Sequence, residues 1–198
     1  MTQIELIQLL QKLARDHRKR VFLLREIASL AGVSRPAAGM ALLRAEKNRL
    51  VSRTRNWWIN LLDPPQLLEI AFAVASPSYL SFESALYHHG ILSQSPRGAL
   101  TVATAGRPGR LETPLGTIQL IHLKPSLFFG YDAERIAFPE KAWLDLIYLR
   151  GRKGQKPLIT EKFYLRRLNQ KKLASFEKRF LKSPANFPKS GSPGTKGQ

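Results

Sequence analysis

Residues 21–62, VFLLREIASLAGVSRPAAGMALLRAEKNRLVSRTRNWWINLL, constrain the fold more than any other stretch of the chain. Leu24, Ile27, Ala28 and Ala31 recur at helical spacing, which gives a first helix one apolar face. Ala28 is small enough for a second helix to cross closely above it. Gly32 falls where the chain must turn sharply, a place where positive φ costs glycine little. Val33 fills the corner. Ser34 is a good N-cap, and Pro36 sits in the first helical turn, where its missing N–H does no harm. Ala38, Ala41, Leu42 and Ala45 then form the inner face of the second helix, leaving Arg35, Ala37, Gly39, Met40 and Arg44 outward. Leu50–Ile59 reads as a hairpin, with Val51 and Trp57–Ile59 as strand formers and Arg53, Arg55 and Asn56 at its tip. Strand alternation puts one of Trp57 and Trp58 in the core. Two short helices, a tight turn and a basic hairpin are the pattern of a winged helix-turn-helix, here a domain over residues 1–62.

That shape lays its second helix in the major groove of DNA, though it also serves protein contacts. A helix whose exposed N-terminal face is Arg35, Ala37, Gly39 and Met40 is slim enough to enter a groove. Arg35 is placed to reach a guanine edge or a phosphate, and Arg44 to reach a phosphate. Arg53, Arg55 and Asn56 would touch the minor groove or the backbone from the hairpin tip. Charge points the same way. The net charge is +18 over 198 residues. Residues 1–62 carry 12 Lys/Arg against 4 Asp/Glu, residues 63–150 carry 7 against 8, and residues 151–198 carry 13 against 2. Two basic ends flank a neutral middle, and basic ends attract phosphate backbones in a salt-dependent way. The C-terminal one is therefore expected to add non-specific affinity.

The remainder reads as α+β. Residues 2–16 form a helix of the first domain, and Asp63-Pro64-Pro65 ends that domain, since paired prolines stop both helix and strand. A second domain, 66–182, is expected as a small mixed sheet covered by helices and followed by a helical basic extension. Its helices are 66–75, Phe82–His89 (capped by Ser81 and closed by Gly90), Glu140–Leu149 and 158–182. Its strands are 99–104, 117–123 and Leu127–Tyr131, with Gly106–Arg110 as a loop. Residues 183–198, rich in Pro, Gly, Ser and Lys, are expected to be a disordered basic tail. No apolar run is long enough to span a bilayer, the N-terminus lacks a secretory pattern, and there is no cysteine, so a cytoplasmic protein without membrane partners is expected.

Other chemistry finds little footing. His88 and His89 are adjacent on a helix and point apart, and His122 is distant in sequence, so no metal site is expected. Ser81 and Ser84 lack the G-x-S-x-G context of a nucleophile. Gly106-Arg107-Pro108-Gly109 lacks the G-K-[ST] of a phosphate loop. Asp132, Glu134, Glu140 and Asp145 raise the question of a nuclease, but Glu140 and Asp145 are five apart on a helix and share no face. Neither catalytic residues nor a cofactor are expected.

At 78–96 the chain reads SYLSFESALYHHGILSQSP, followed by the strand TVAT, and at 138–150 it reads FPEKAWLDLIYLR. With the N-terminal pattern, these segments resemble the AbiEi family of antitoxins and transcriptional regulators from bacterial type IV toxin–antitoxin systems, over about residues 5–150. The resemblance implies an N-terminal domain that binds repeats in its own promoter and represses the operon. It further implies a C-terminal domain that counteracts a nucleotidyltransferase toxin without a stable complex. By motif match it gives the DNA role to Ser34, Arg35, Arg44, Arg53 and Arg55. It also picks out Tyr79, Ser81, Ala85, Leu86, His89 and Gly90 as a signature whose local pattern is structural: a cap, a helix core and a terminal glycine. A stand-alone regulator with no toxin partner is the competing expectation.

Overall fold

The computed structural model describes residues 1–94, 96, 98–155 and 163–181. Among them are seven α-helices and two small sheets, an α+β fold. The chain divides into two compact units, and neither is continuous in sequence. The first takes Met1–Ser78 and Gly98–His122; the second takes Tyr79–Arg97 and the chain from Leu123 onward. The expected boundary at Asp63–Pro65 is therefore not where the units part.

The first unit opens with α1, Gln3–His17. Thr2 starts it through a reciprocal cap: its hydroxyl accepts from the Glu5 amide (3.2 Å), while the Glu5 carboxylate accepts from the Thr2 amide (2.9 Å). β1, Val21–Leu23, is a strand that the sequence pattern does not single out. It pairs with β3 (Trp57–Asn60), which also pairs with β2 (Val51–Thr54), giving an antiparallel sheet of order β1–β3–β2. Between them lie α2 (Leu24–Leu30) and α3 (Arg35–Lys47). Leu6, Leu10, Leu13, Phe22, Ile27, Ala28, Ala38, Ala41, Leu42, Ala45, Val51 and Trp58 form one buried core. Trp58 is the buried member of its pair and Trp57 is half-buried.

Beyond Pro65, the same unit continues through α4 (Leu67–Val74) to β5 (Leu100–Thr104), β6 (Gly109–Thr113) and β7 (Gly116–His122). β5 runs parallel to β7 and β6 antiparallel to it, so the sheet is mixed, as expected. The expected loop is shorter than Gly106–Arg110, because β6 already begins at Gly109. Leu111 alone is buried in β6, so one apolar residue had to carry the strand signal. The chain passes into the second unit within β4, Ser78–Leu80.

In the second unit, α5 (Phe82–His88), α6 (Pro139–Arg152) and α7 (Gln170–Leu181) pack through an aromatic-rich core. The third strand expected at Leu127–Tyr131 does not form. Pro125 opens a 3₁₀ turn through Leu127, and only an isolated bridge, Tyr131 to Ala137, follows. The continuous helix expected over 158–182 is interrupted: a 3₁₀ turn at Leu165–Arg167 precedes α7. Residues 158–162, Lys182 and the tail expected at 183–198 lie outside the described residues. No helix among the described residues is long and apolar enough to cross a membrane.

Candidate nucleic-acid interface

The candidate surface is built on α3, and its geometry begins in the turn before it. The amide of Val33 donates to the Ala28 carbonyl (3.0 Å) and that of Gly32 to the Ser29 carbonyl (3.2 Å). This is a Schellman closure of α2, and it requires the left-handed conformation that Gly32 adopts, φ 62°. The Ser34 hydroxyl then accepts from the Ala37 amide (3.4 Å), and Pro36 lies in the first turn of α3. Ala38, Ala41, Leu42 and Ala45 are buried, as their spacing demanded.

The face opposite that stripe follows from helical arithmetic. Pro36, Met40, Leu43 and Lys47 fall in one line and are all exposed, Met40 at 57% and Leu43 at 43%. Of these, sequence reading singled out Met40 alone. Arg35 is exposed at the first turn. Gly39 does not point outward as expected: it is half-buried on the α2 side, where a Cβ would meet Leu24 at 3.9 Å. Arg44 is exposed at the other flank, and its guanidinium donates to the Met1 carbonyl (3.3 Å). The acidic side chain of α3, Glu46, is turned into the corner with β2, where it accepts from the Arg53 amide (2.9 Å).

The hairpin departs further from expectation. Arg53 is not at its tip but within β2, across from Trp58. Its guanidinium donates to the Arg55 carbonyl (3.1 Å) and lies 5.8 Å from the Trp58 ring centroid. Arg55 and Asn56 do form the exposed turn, with Arg55 at φ 52°. The turn is braced rather than free, since the Thr54 hydroxyl donates to the Glu112 carbonyl of β6 (3.4 Å). The Arg55 guanidinium lies where a Cβ on residue 109 would come within 2.5 Å, so any side chain there would displace the end of the flexible arginine. The sequence reading has no strand over 109–113 and places those residues in a second domain, so this brace is missing from it.

The residues weighed for other chemistry are dispersed or locked away. Asp132 accepts from the Ile136 amide (2.9 Å) and Glu140 from the Asn169 amide (2.8 Å). His89 shares a hydrogen bond with the Ala137 carbonyl (2.8 Å) and His122 with that of Gly106 (3.0 Å). Asp145 is fully buried and accepts from the hydroxyls of Tyr79 (2.9 Å) and Ser81 (2.7 Å) and from the Lys141 ammonium. Ser81 thus spends its hydroxyl on Asp145 and makes no side-chain cap to α5. Lys141 also donates to the Tyr79 hydroxyl (2.8 Å) and sits 4.9–5.1 Å from the ring centroids of Phe180, Tyr79 and Phe129. Burial raises the Asp145 carboxyl above its ordinary range, against the pull of Lys141 and the two hydroxyls. Burial likewise lowers the Lys141 ammonium, against the pull of Asp145. The Tyr79 phenol is pushed well above its usual value by burial and then by the Asp145 charge. This cluster missed by sequence reading has Lys141 and Asp145 one helical turn apart, which was its legible signal.

Arg167, Lys172 and Arg179 of the basic C-terminal stretch rest on aromatic rings. Lys172 lies 3.2 Å from the Phe138 ring centroid, and the Arg179 guanidinium 3.6 Å from that of Phe129. Arg167 covers Tyr164 (4.9 Å) and donates to the Gly90 carbonyl (3.0 Å).

No family model matches the sequence, and no curated protein does. In fold, the chain is similar to the RV2827C protein from Mycobacterium tuberculosis. The TM-score is 0.51 at 16% identity, over 78% of this chain. The matched part spans 63% of that protein's length. At this identity the likeness speaks for the fold alone.

Proposed function

We propose that this protein is a sequence-specific DNA-binding regulator of the antitoxin type, whose first unit acts as a winged helix-turn-helix. α3 would enter the major groove, and the β2–β3 turn would serve as the wing. The observation that carries this reading is the α3 surface itself: a slim helix with an outward line free of acidic residues, with Arg35 and Lys47 at its ends and Arg44 on its flank. Arg35 would contact a base edge or phosphate, Arg44 and Arg55 phosphates, and Asn56 the groove wall. Ser34 would act through the helix it caps. Gly39 belongs to the packing of α3 on α2, and Arg53 to the stiffness of the hairpin.

The resemblance of residues 78–96 and 138–150 to the AbiEi family supports the further reading that the protein represses its own operon and counteracts a nucleotidyltransferase toxin. A footprint on the DNA upstream of its gene, at physiological salt with excess competitor, tests the first part. A protected pair of repeats is the expected result, and diffuse coating abolished by salt would refute it. Co-expression with a neighbouring nucleotidyltransferase tests the second: rescue of growth supports an antitoxin, and failure beside a positive footprint leaves a stand-alone regulator.

A further inference from the structure

The middle of the α3 outer face carries no hydrogen-bonding side chain. Pro36, Met40 and Leu43 make up its line, Ala37 lies beside them, and the polar groups stand at the ends and flank: Arg35, Lys47 and Arg44. Two large apolar side chains are exposed there, Met40 at 57% and Leu43 at 43%. An exposed apolar stripe marks a contact surface. Its cationic surround, within a segment of 12 Lys/Arg against 4 Asp/Glu, suits a polyanion and disfavours a second copy of the same basic face. DNA is such a polyanion, and its major groove offers one kind of apolar feature, the C5-methyl group of thymine.

We infer that Met40 and Leu43 read thymine methyl groups. The recognised half-site is then centred on thymines, with the hydrogen-bonded readout confined to its edge at Arg35. Met40 brings a flexible, polarisable side chain that adapts to the methyl's position. Leu43, three residues on and on the same face, reaches a neighbouring step. This inference rests on the DNA-binding reading above and adds to it the chemical feature that is read. Removing one methyl-sized group from water corresponds to about fourfold in affinity.

The test uses the full chain and a pool of random duplexes. Bound duplexes are enriched, and in the tightest one each thymine is replaced in turn by deoxyuridine, which lacks only the methyl. The expected result is a loss of about fourfold at one or two thymines per half-site and none elsewhere. Met40→Ala and Leu43→Ala, both at exposed positions, should each erase the loss at one of those thymines while circular dichroism stays unchanged. Equal affinity for thymine and deoxyuridine at every position of a tightly bound duplex would overturn the inference and leave DNA binding standing. If no duplex is enriched over the pool, the DNA-binding reading falls and the inference with it.

Discussion

Removing the Asp145 carboxylate tests the energetics of the second unit most sharply. In the native chain this carboxylate is fully buried and accepts from Lys141, Tyr79 and Ser81. Asp145→Ala leaves the Lys141 ammonium buried without its counter-ion, a loss of about 3–5 kcal/mol. It also takes an acceptor from two buried hydroxyls, at about 1 kcal/mol each. Tyr79 keeps a weak alternative in the Leu127 carbonyl (3.5 Å), which trims that part. The expected total is about 4–6 kcal/mol, comparable to the whole stability of many domains. Lys141→Met should cost less, about 2 kcal/mol, because Asp145 keeps both hydroxyl donors and can accept a proton. Adding Lys141→Met to Asp145→Ala should therefore regain about 2 kcal/mol, since it deletes the stranded charge. Urea denaturation read by hydrogen exchange over residues 139–152 reports the unit concerned. If the double variant is less stable than Asp145→Ala alone, the stranded ammonium is not what costs stability, and the argument fails.

Further expectations concern the first unit. Gly32→Ala should cost about 1–2 kcal/mol in thermal unfolding, because nothing crowds a Cβ there and the left-handed backbone alone is penalised. Conversely, Arg49 closes α3 at φ 56°, so Arg49→Gly should raise stability by about 1 kcal/mol in the same assay. Glu26 is partly desolvated, which opposes ionisation, but Lys19 (2.7 Å) and the Leu23 amide (2.8 Å) outweigh this and hold its carboxyl below the ordinary value of 4.5. Its contribution is thus complete above the ordinary value and lost as pH falls through the lowered one. The stability gap between wild type and Glu26→Gln in urea titrations should close along that descent. Arg35→Ala should weaken an enriched duplex by about 1–3 kcal/mol while sparing random DNA; equal losses on both would reduce Arg35 to a phosphate contact.

Local elements were legible where one residue type answers one physical need. Gly32 for a left-handed turn, Ser34 for a cap, and Ala38, Ala41, Leu42 and Ala45 for a close inner face all stand where the periodicity put them. The misses share a cause, which is that tertiary contacts decided the outcome. Val21–Leu23 is a strand because β3 offers it an edge, and β6 forms around a single buried leucine because β7 does. Glu140 and Asp145 were weighed as a pair, yet Asp145 turns to Lys141 on its own face of α6 while Glu140 binds an amide 29 residues away. The one-turn spacing of Lys141 and Asp145 is a local pattern, but a partner as distant as that of Glu140 leaves none. The basic C-terminal stretch is legible as a helical, positively charged segment, but nothing in the sequence tells which of its cations rest on aromatic rings.

The interleaving of the two units also sets an order of events on the ribosome. The first unit has all its residues once His122 has emerged, and it can close then. Tyr79 and Ser81 are made early, but the carboxylate that satisfies their hydroxyls lies 66 and 64 residues further on. Those two hydroxyls must therefore wait for their acceptor while the first unit is already folding. Cutting the chain after residue 62 would remove β6 and with it the brace on the Arg55 turn. The shortest fragment that keeps the first unit whole must run to His122 and carry Tyr79 and Ser81 without the Asp145 carboxylate.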